Sequence, residues 1–294
     1  MSGIRKKIKN KETSPYVYVG YACNNNCIFC SEADEYLSGL KEKSIAEIRK
    51  ELRIIRKKYD FVSIMGREPT VRKDILEIIR FARSLKFRQV GLTTNGRMFS
   101  ISSFTKAVLA TGINQIGVSL SGASARIHDR QTLVPGSFKQ TIAGIKSIIR
   151  YKGKNTSLLV NLPMNRLNYR NLGAELELLT GLRVREINIL NISPLSTRSA
   201  TKKLIMPMPR LGAYVFNVLK RGGFLNKTDL RVLLVEFPPC SLPKEAQVYS
   251  FPCLEKNNDK VRISLCRQCS YKIKCDGILN SYLRLYGDNE FILE

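Results

Sequence analysis

Eight cysteines stand in two groups in this chain of 294 residues, and thiols grouped in that way are its side chains best suited to chemistry. Cys23, Cys27 and Cys30 fall within the octet CNNNCIFC. A loop this short can wrap three thiolates around one corner of an iron–sulfur cube, leaving the fourth iron without a protein ligand. An iron left open binds a small molecule through an amine and a carboxylate. Half of a zinc site, completed from elsewhere, is the competing reading, but such halves usually arrive as C-x2-C pairs. The other five thiols, Cys240, Cys253, Cys266, Cys269 and Cys275, lie in the last 55 residues. CRQCSYKIKC reads as C-x2-C-x5-C, and Cys240 in FPPCSLP supplies a distant fourth thiolate. Four thiolates from one loop-rich segment close a structural zinc site or a second [4Fe–4S] cluster, and spacing alone leaves both open. Cys253 is the spare.

Composition restricts the setting of these thiols. No segment has the long uncharged apolar run of a membrane span, and the opening MSGIRKKIKNKETS lacks the apolar stretch of a signal peptide. A cytoplasmic location is expected, where cysteines serve as metal ligands or reactive thiols rather than as disulfides. The 49 Lys and Arg against 24 Asp and Glu give a net charge of +25. That balance fits nucleic acid, an anionic membrane surface or an acidic substrate. A merely solvated basic surface is an equal alternative, because the cations are spread along the whole chain. His128 in ARIHDR is the only histidine; beside Asp129 it suggests acid–base catalysis, yet it reads better as a structural hydrogen-bonding residue in a loop.

The elements that must position these residues show in the hydrophobic periodicity. Apolar, β-branched runs recur at 15–22, 61–65, 89–94, 114–121, 156–162 and 185–191. Helical stripes separate them: Ile48, Leu52 and Ile55 within 44–58, behind a Ser44–Glu47 capping box; Ile75, Ile78, Ile79, Ala82 and Leu85 within 72–86; and Phe138, Ile142, Ile145 and Ile149 within 137–152, behind a Ser137–Gln140 cap. Strands alternating with helices make βα units, so the expected fold is α/β, a partial (β/α)6 TIM-like barrel with a small cysteine-rich C-terminal extension. A further helix, 207–223, opens on proline and stops at Gly222 and Gly223. Parallel sheets place their working residues at the carboxyl ends of the strands, and the first cysteine loop follows the first strand.

At this point the chain resembles the radical S-adenosylmethionine (radical SAM) superfamily over most of its length. CNNNCIFC matches that family's C-x3-C-x-Φ-C motif, with Phe29 at the aromatic position. The resemblance implies a [4Fe–4S] cluster on Cys23, Cys27 and Cys30 that binds S-adenosylmethionine, with Phe29 beside the adenine. One electron then cleaves the sulfonium, and the resulting 5′-deoxyadenosyl radical abstracts hydrogen from a substrate. MGREPT stands where the family carries GGEP, so Gly66, Arg67, Glu68 and Pro69 are implied contacts of the cofactor's ammonium. Arg67 replaces a glycine there, which is tolerable only if its φ stays negative. TTNG matches the family's TNG turn at Asn95 and Gly96. Ser119 and Ser121 in SLSG are implied contacts of the carboxylate or ribose, Asn161 of the ribose, and the backbone of 187–194 of the adenine. The C-x2-C-x5-C run is similar to the core of SPASM and twitch extensions, which implies an auxiliary cluster on Cys240, Cys266, Cys269 and Cys275, with Cys253 as an alternative ligand.

The expected organisation is a basic tail over 1–11, a radical SAM core over 12–200, a connecting helical segment over 201–235 and a cluster-binding extension over 236–294. The leading expectation for function is modification of a peptide or protein side chain, as SPASM-type extensions are frequent among peptide maturases. RNA, which the charge favours, and a small metabolite are the alternatives, and a non-catalytic electron-transfer or sensing protein ranks last. An electron donor such as flavodoxin or ferredoxin is the expected partner.

Overall fold

The computed structural model describes residues 15–31, 39, 41–194, 199–251 and 259–293. The basic tail and Cys253 lie outside the described residues. Eight strands form one sheet in chain order, and every neighbouring pair is parallel. They are β1 Tyr16–Tyr18, β2 Phe61–Met65, β3 Gln89–Thr94, β4 Gln115–Ser119, β5 Ser157–Met164, β6 Glu186–Asn191, β7 Arg231–Val235 and β8 Ser250–Phe251. The returning helices are α1 Ile45–Arg56, α2 Ile75–Ser84, α3 Ser102–Leu109, α4 Ala125–Thr132, α5 Ser137–Tyr151, α6 Leu172–Gly181, α7 Ser199–Leu204 and α8 Met208–Arg221. The sheet curls into an open α/β barrel with its helices on the outside. In the cysteine-rich C-terminal part, β9 Lys260–Val261 and β10 Ile278–Leu279 pair antiparallel ahead of α9 Asn280–Tyr286.

The six strands marked by periodicity all form, and the sheet runs on through β7 and β8. β7 lies inside the stretch expected to be a helical connection; its RVLLV adds a ladder to β6, from Glu186↔Arg231 to Leu190↔Val235. Strand alternation sorts the two faces of the sheet. On β5, Leu158, Val160, Leu162 and Met164 are buried against the helices, while Leu159, Asn161 and Pro163 on the other face are only half-buried. That second, concave face carries polar side chains. Gln89 donates to Gln115 at 2.7 Å, and Asn188 donates to Asn161 at 3.0 Å.

Helix starts follow local chemistry, with one correction. The Ser44–Glu47 capping box is present on α1, with Glu47 accepting from the Ser44 amide at 2.7 Å. Ser137 does not cap α5. Its hydroxyl donates to Asp129 at 2.8 Å, and the same carboxylate accepts the Gly136 and Phe138 amides at 2.7 Å each. Gln140 accepts instead from Arg97 at 2.6 Å. A charged acceptor from the preceding helix outcompetes a local hydroxyl for the free amides of the first turn.

Candidate active site

Cys23, Cys27 and Cys30 sit in the loop after β1, at the carboxyl ends of the strands, each half-buried. Two sets of bonds shape that loop. On one side, the Tyr21 and Ala22 amides both donate to Glu42 Oε1, at 2.8 and 2.7 Å. On the other, the Asn26 and Ile28 amides donate to the Thr132 and Gln131 carbonyls at 2.9 Å each. Those carbonyls belong to the last turn of α4, where a helix has acceptors to spare. Within the loop, the Asn25 amide donates to Cys23 Sγ at 3.3 Å. Burial pushes the Cys27 thiol up to about 12, with Cys30 and Cys23 adding to it, and burial raises Cys23 as well. A buried Cys27 raised by both neighbouring thiols, where a free thiolate is penalised, fits a cationic iron centre that takes over the negative charge. Among the described residues no three His, Cys, Asp or Glu side chains converge tightly enough for a single metal ion.

MGREPT packs directly beneath this loop. The Arg67 and Glu68 amides donate to the Gly20 and Ala22 carbonyls at 3.1 Å each. A Cβ on Gly66 would stand 2.6 Å from the Gly20 carbonyl oxygen, so only glycine fits that crossing. Arg67 is absent from the residues with left-handed backbone, so its side chain costs no strain. Glu68 is buried, and burial raises its pKa, while hydrogen bonds from Asn95, Thr70 and Thr94 pull it back. Its Oε1 accepts from the Thr70 amide at 3.1 Å and from the Thr70 and Thr94 hydroxyls at 2.5 and 2.7 Å; its Oε2 accepts the Asn95 amide at 2.6 Å. The carboxylate therefore ties the end of β2 to the end of β3, with Pro69 opening the turn that follows.

Asn95 completes the frame. Its Nδ2 donates to Asn24 Oδ1 in the cysteine loop at 2.6 Å. Arg97, next along, donates to the Asn24 carbonyl, to Asn25 Oδ1 at 2.8 Å and to Gln140 at 2.6 Å. Ser119, Asn161 and Asn188 lie in one row across β4, β5 and β6, by the pairings Ser119↔Asn161 and Asn161↔Asn188. Ser121 stands apart from that row. It is buried, its amide donates to His128 Nδ1 at 3.1 Å, and its carbonyl accepts from Gln131. Gln131 in turn accepts from Asn165 at 2.6 Å. His128 thus has the structural role expected of it, but on α4 rather than in a loop. Phe29 and Ile28 pack against a second apolar cluster of Ile192, Leu204, Ile205, Met208, Tyr282 and Phe291.

The C-terminal thiols gather at the same wall. Cys240, in a turn after β7, packs against that second cluster. Burial pushes its thiol up to about 12, with Cys275, Cys266 and Cys269 adding to it. The four line one small cavity with Arg262 and Lys272 at its edge. Gly277 has a φ of 101°, and its amide donates to Cys275 Sγ at 3.4 Å. A larger cavity of about 550 Å³ adjoins Cys275, lined by Phe237, Phe251, Tyr271 and the buried Lys260, which pairs with Glu236 at 2.9 Å and Asp276 at 2.6 Å.

Sequence reasoning missed Glu42, Arg97, Thr70, Thr94, Gln131, Asn165 and Asn188. Asn188 carried a readable signal, since a strand register that puts Asn161 on the concave face puts Asn188 beside it. Glu42 and Arg97 act through backbone groups far off in the chain, and nothing local marks them.

Comparison with known proteins agrees with this geometry. The model of the radical SAM superfamily matches residues 17–179. A protein of Saccharolobus islandicus described as a probable GTP 3′,8-cyclase is 32% identical over 180 residues, covering 59% of this chain. The chain spans 55% of that relative's length. A protein of the same description from another strain is 31% identical over 260 residues, which is 86% of this chain and 80% of the relative. The solved structure of native anSMEcpe with bound AdoMet and a Cp18Cys peptide superposes with a TM-score of 0.62 at 12% identity, over 92% of this chain and 93% of that one. At that identity the likeness shows the fold.

Proposed function

This chain belongs to the radical SAM superfamily, and from that membership we propose that it is an enzyme that abstracts hydrogen from a small polar metabolite of nucleotide size. Cys23, Cys27 and Cys30 would hold a [4Fe–4S] cluster, which when bound would supply the electron for reductive cleavage of S-adenosylmethionine. The chain's own residues position and shield. Glu42 and the last turn of α4 fix the cysteine loop from two sides, and Glu68 with Asn95 sets the floor under it. Gly66, Arg67, Glu68 and Pro69 form the strand-end contact for the cofactor's ammonium, and Phe29 covers the adenine. Asn95, Ser119 and Asn161 are the remaining cofactor contacts. Ser119 and Asn161 have the open positions on the concave face, whereas the buried Ser121 spends its amide and its carbonyl on His128 and Gln131 and instead holds α4 to the end of β4.

The substrate reading rests on one observation, a cavity of about 550 Å³ beside the second thiol group, lined within residues 236–277. That volume suits a small ligand, whose sites usually enclose about 300–1,000 Å³. The relatives described as probable GTP 3′,8-cyclases point the same way, and a net charge of +25 suits a phosphorylated compound. Cys240, Cys266, Cys269 and Cys275, within an extension over 236–294, hold a second [4Fe–4S] cluster in this reading, SPASM- or twitch-like, in preference to zinc. A peptide or protein side chain is the second reading, favoured by the peptide bound in the anSMEcpe structure.

Anaerobic reconstitution tests both levels. Wild type with dithionite should release 5′-deoxyadenosine, and the Cys23→Ala, Cys27→Ala, Cys30→Ala triple variant should release none. Release by the triple variant would place the chemistry elsewhere. Purine nucleotides should accelerate release and exchange label with the cofactor product, whereas acceleration by peptides alone would move the substrate to the second reading.

A further inference from the structure

The C-terminal thiols lie under a surface to which the reading above gives no task. Between Val261 and Cys275 the chain carries Arg262, Arg267, Lys272 and Lys274 and no acidic residue. All four cations are exposed. Arg262 donates to the Lys272 carbonyl at 2.9 Å, which joins the two sides of the loop at the rim of the thiol cavity. The next acid along, Asp276, is taken up by the buried Lys260 at 2.6 Å. Amid these charges Ile273 is 89% exposed. An apolar centre with a charged rim is the anatomy of a protein-docking surface.

We propose that Arg262, Arg267, Lys272, Lys274 and Ile273 dock an acidic one-electron carrier protein, of the flavodoxin or ferredoxin kind, over the C-terminal thiols. The inference rests on the reading that Cys240, Cys266, Cys269 and Cys275 hold a cluster. Those thiols are only half-buried, so a group held by them sits close beneath the docked carrier. In the transfer, the reduced carrier gives up one electron and the cluster gains it, with no bond made and no proton moved. Opposite charge speeds encounter and orients the carrier, and salt screens both effects. Nucleic acid would use the same cations but gains nothing from an isoleucine at the centre of the contact.

The triple variant at Cys23, Cys27 and Cys30 isolates the C-terminal cluster for the test. Its reduction by reduced flavodoxin, followed in stopped flow, should slow at least tenfold between about 0.05 and about 0.5 M salt. Adding Arg267→Glu, Lys272→Glu and Lys274→Glu should slow it at least tenfold at low salt with iron content unchanged, and by more than the accompanying fall in midpoint potential, measured in parallel, accounts for. Ile273→Ala should raise the carrier's Kd severalfold even at high salt. Reversing Lys139, Lys146 and Arg150 on α5 to glutamate should change neither value. Wild-type rates in the charge-reversed patch would overturn the docking proposal, as would loss of tRNA binding with carrier reduction intact. If the triple variant carries zinc and no iron, the cluster reading fails first and the docking proposal falls with it. Iron at full content with unchanged rates sinks the docking alone.

Discussion

His128 shows how a single side chain can hold a site without joining its chemistry. Its Nδ1 accepts the Ser121 amide at 3.1 Å, and its buried Nε2 has no partner among the described residues. Burial is the main reason its pKa falls from 6.5 to about 4, with Asp129 opposing and Arg97 reinforcing. The folded chain therefore keeps the ring neutral where the unfolded chain protonates it. Its contribution is complete above the unfolded value and is lost as pH falls through the window from about 6.5 to about 4, a total of roughly 3 kcal/mol. Thermal melts from pH 7 to pH 4 should show this slope in wild type. His128→Asn, whose Oδ1 can take the same amide, should lose the slope over that window. Parallel slopes in the two proteins would assign the acid sensitivity to another group. The same exchange should leave the pH dependence of cofactor cleavage unmoved, which separates a positioning residue from a catalytic one.

At the scale of elements, the contact between the TNG turn and α5 decides whether the floor of the site stays in place. Gly96 turns with a φ of 78°, and a Cβ on Gly144 would come within 2.1 Å of its carbonyl oxygen. Gly144→Ala therefore forces backbone apart rather than a side chain, at a cost of about 3 kcal/mol, the upper part of the usual range for overpacking. Asn95 lies one residue away and binds both Glu68 and Asn24, so affinity for S-adenosylmethionine should fall along with the melting temperature. Gly173→Ala on α6 meets only an ordinary contact at 3.9 Å and should be neutral or stabilising. Equal melting temperatures for the two variants would remove the backbone contact as the cause. The difference between these glycines is invisible in the sequence, as were other placements. Six strands and the stripes of α1 and α2 were legible because their buried residues are apolar and periodic. The stripe read on α5 was shifted: of Phe138, Ile142, Ile145 and Ile149 only Ile145 is buried, and the helix buries Ser137, Thr141, Gly144, Ser147 and Ile148 beside it. α4 was not legible, because the side chains it buries are His128, Gln131 and Thr132, which carry no hydrophobic period. β7 was hidden because it lies inside a stretch read as a helical connection. The three thiols, Glu68, Asn95 and the aligned Asn161 could be read from local motifs. The clamps from Glu42 and Arg97 could not, since each bridges segments far apart in the chain.

For the whole molecule, the question is why two thiol groups about 200 residues apart in sequence share one end of the barrel. The wall between them is a single apolar cluster, on which Phe29 and Ile28 pack from one group and Cys240 from the other. Thr201 ties the same wall to the first loop through the Ile28 carbonyl at 2.8 Å. Tyr282 fastens α9 to the start of α8 by accepting the Met208 amide at 2.6 Å and donating to Glu290. The extension is thus built into the site rather than hung beside it, and its two functions should be separable. Wild type with both groups filled by [4Fe–4S] clusters should carry about eight irons, and Cys266→Ser with Cys269→Ser about four. That double variant keeps Cys23, Cys27, Cys30 and the whole Glu68–Asn95 floor. It should still cleave S-adenosylmethionine slowly, while failing to carry the substrate radical through to product. Stoichiometric zinc with about four irons in wild type would make the extension a structural metal tail. Loss of cleavage in the double variant with its four irons intact would show instead that the wall beneath Phe29, and not the second group's electron, is what the extension supplies.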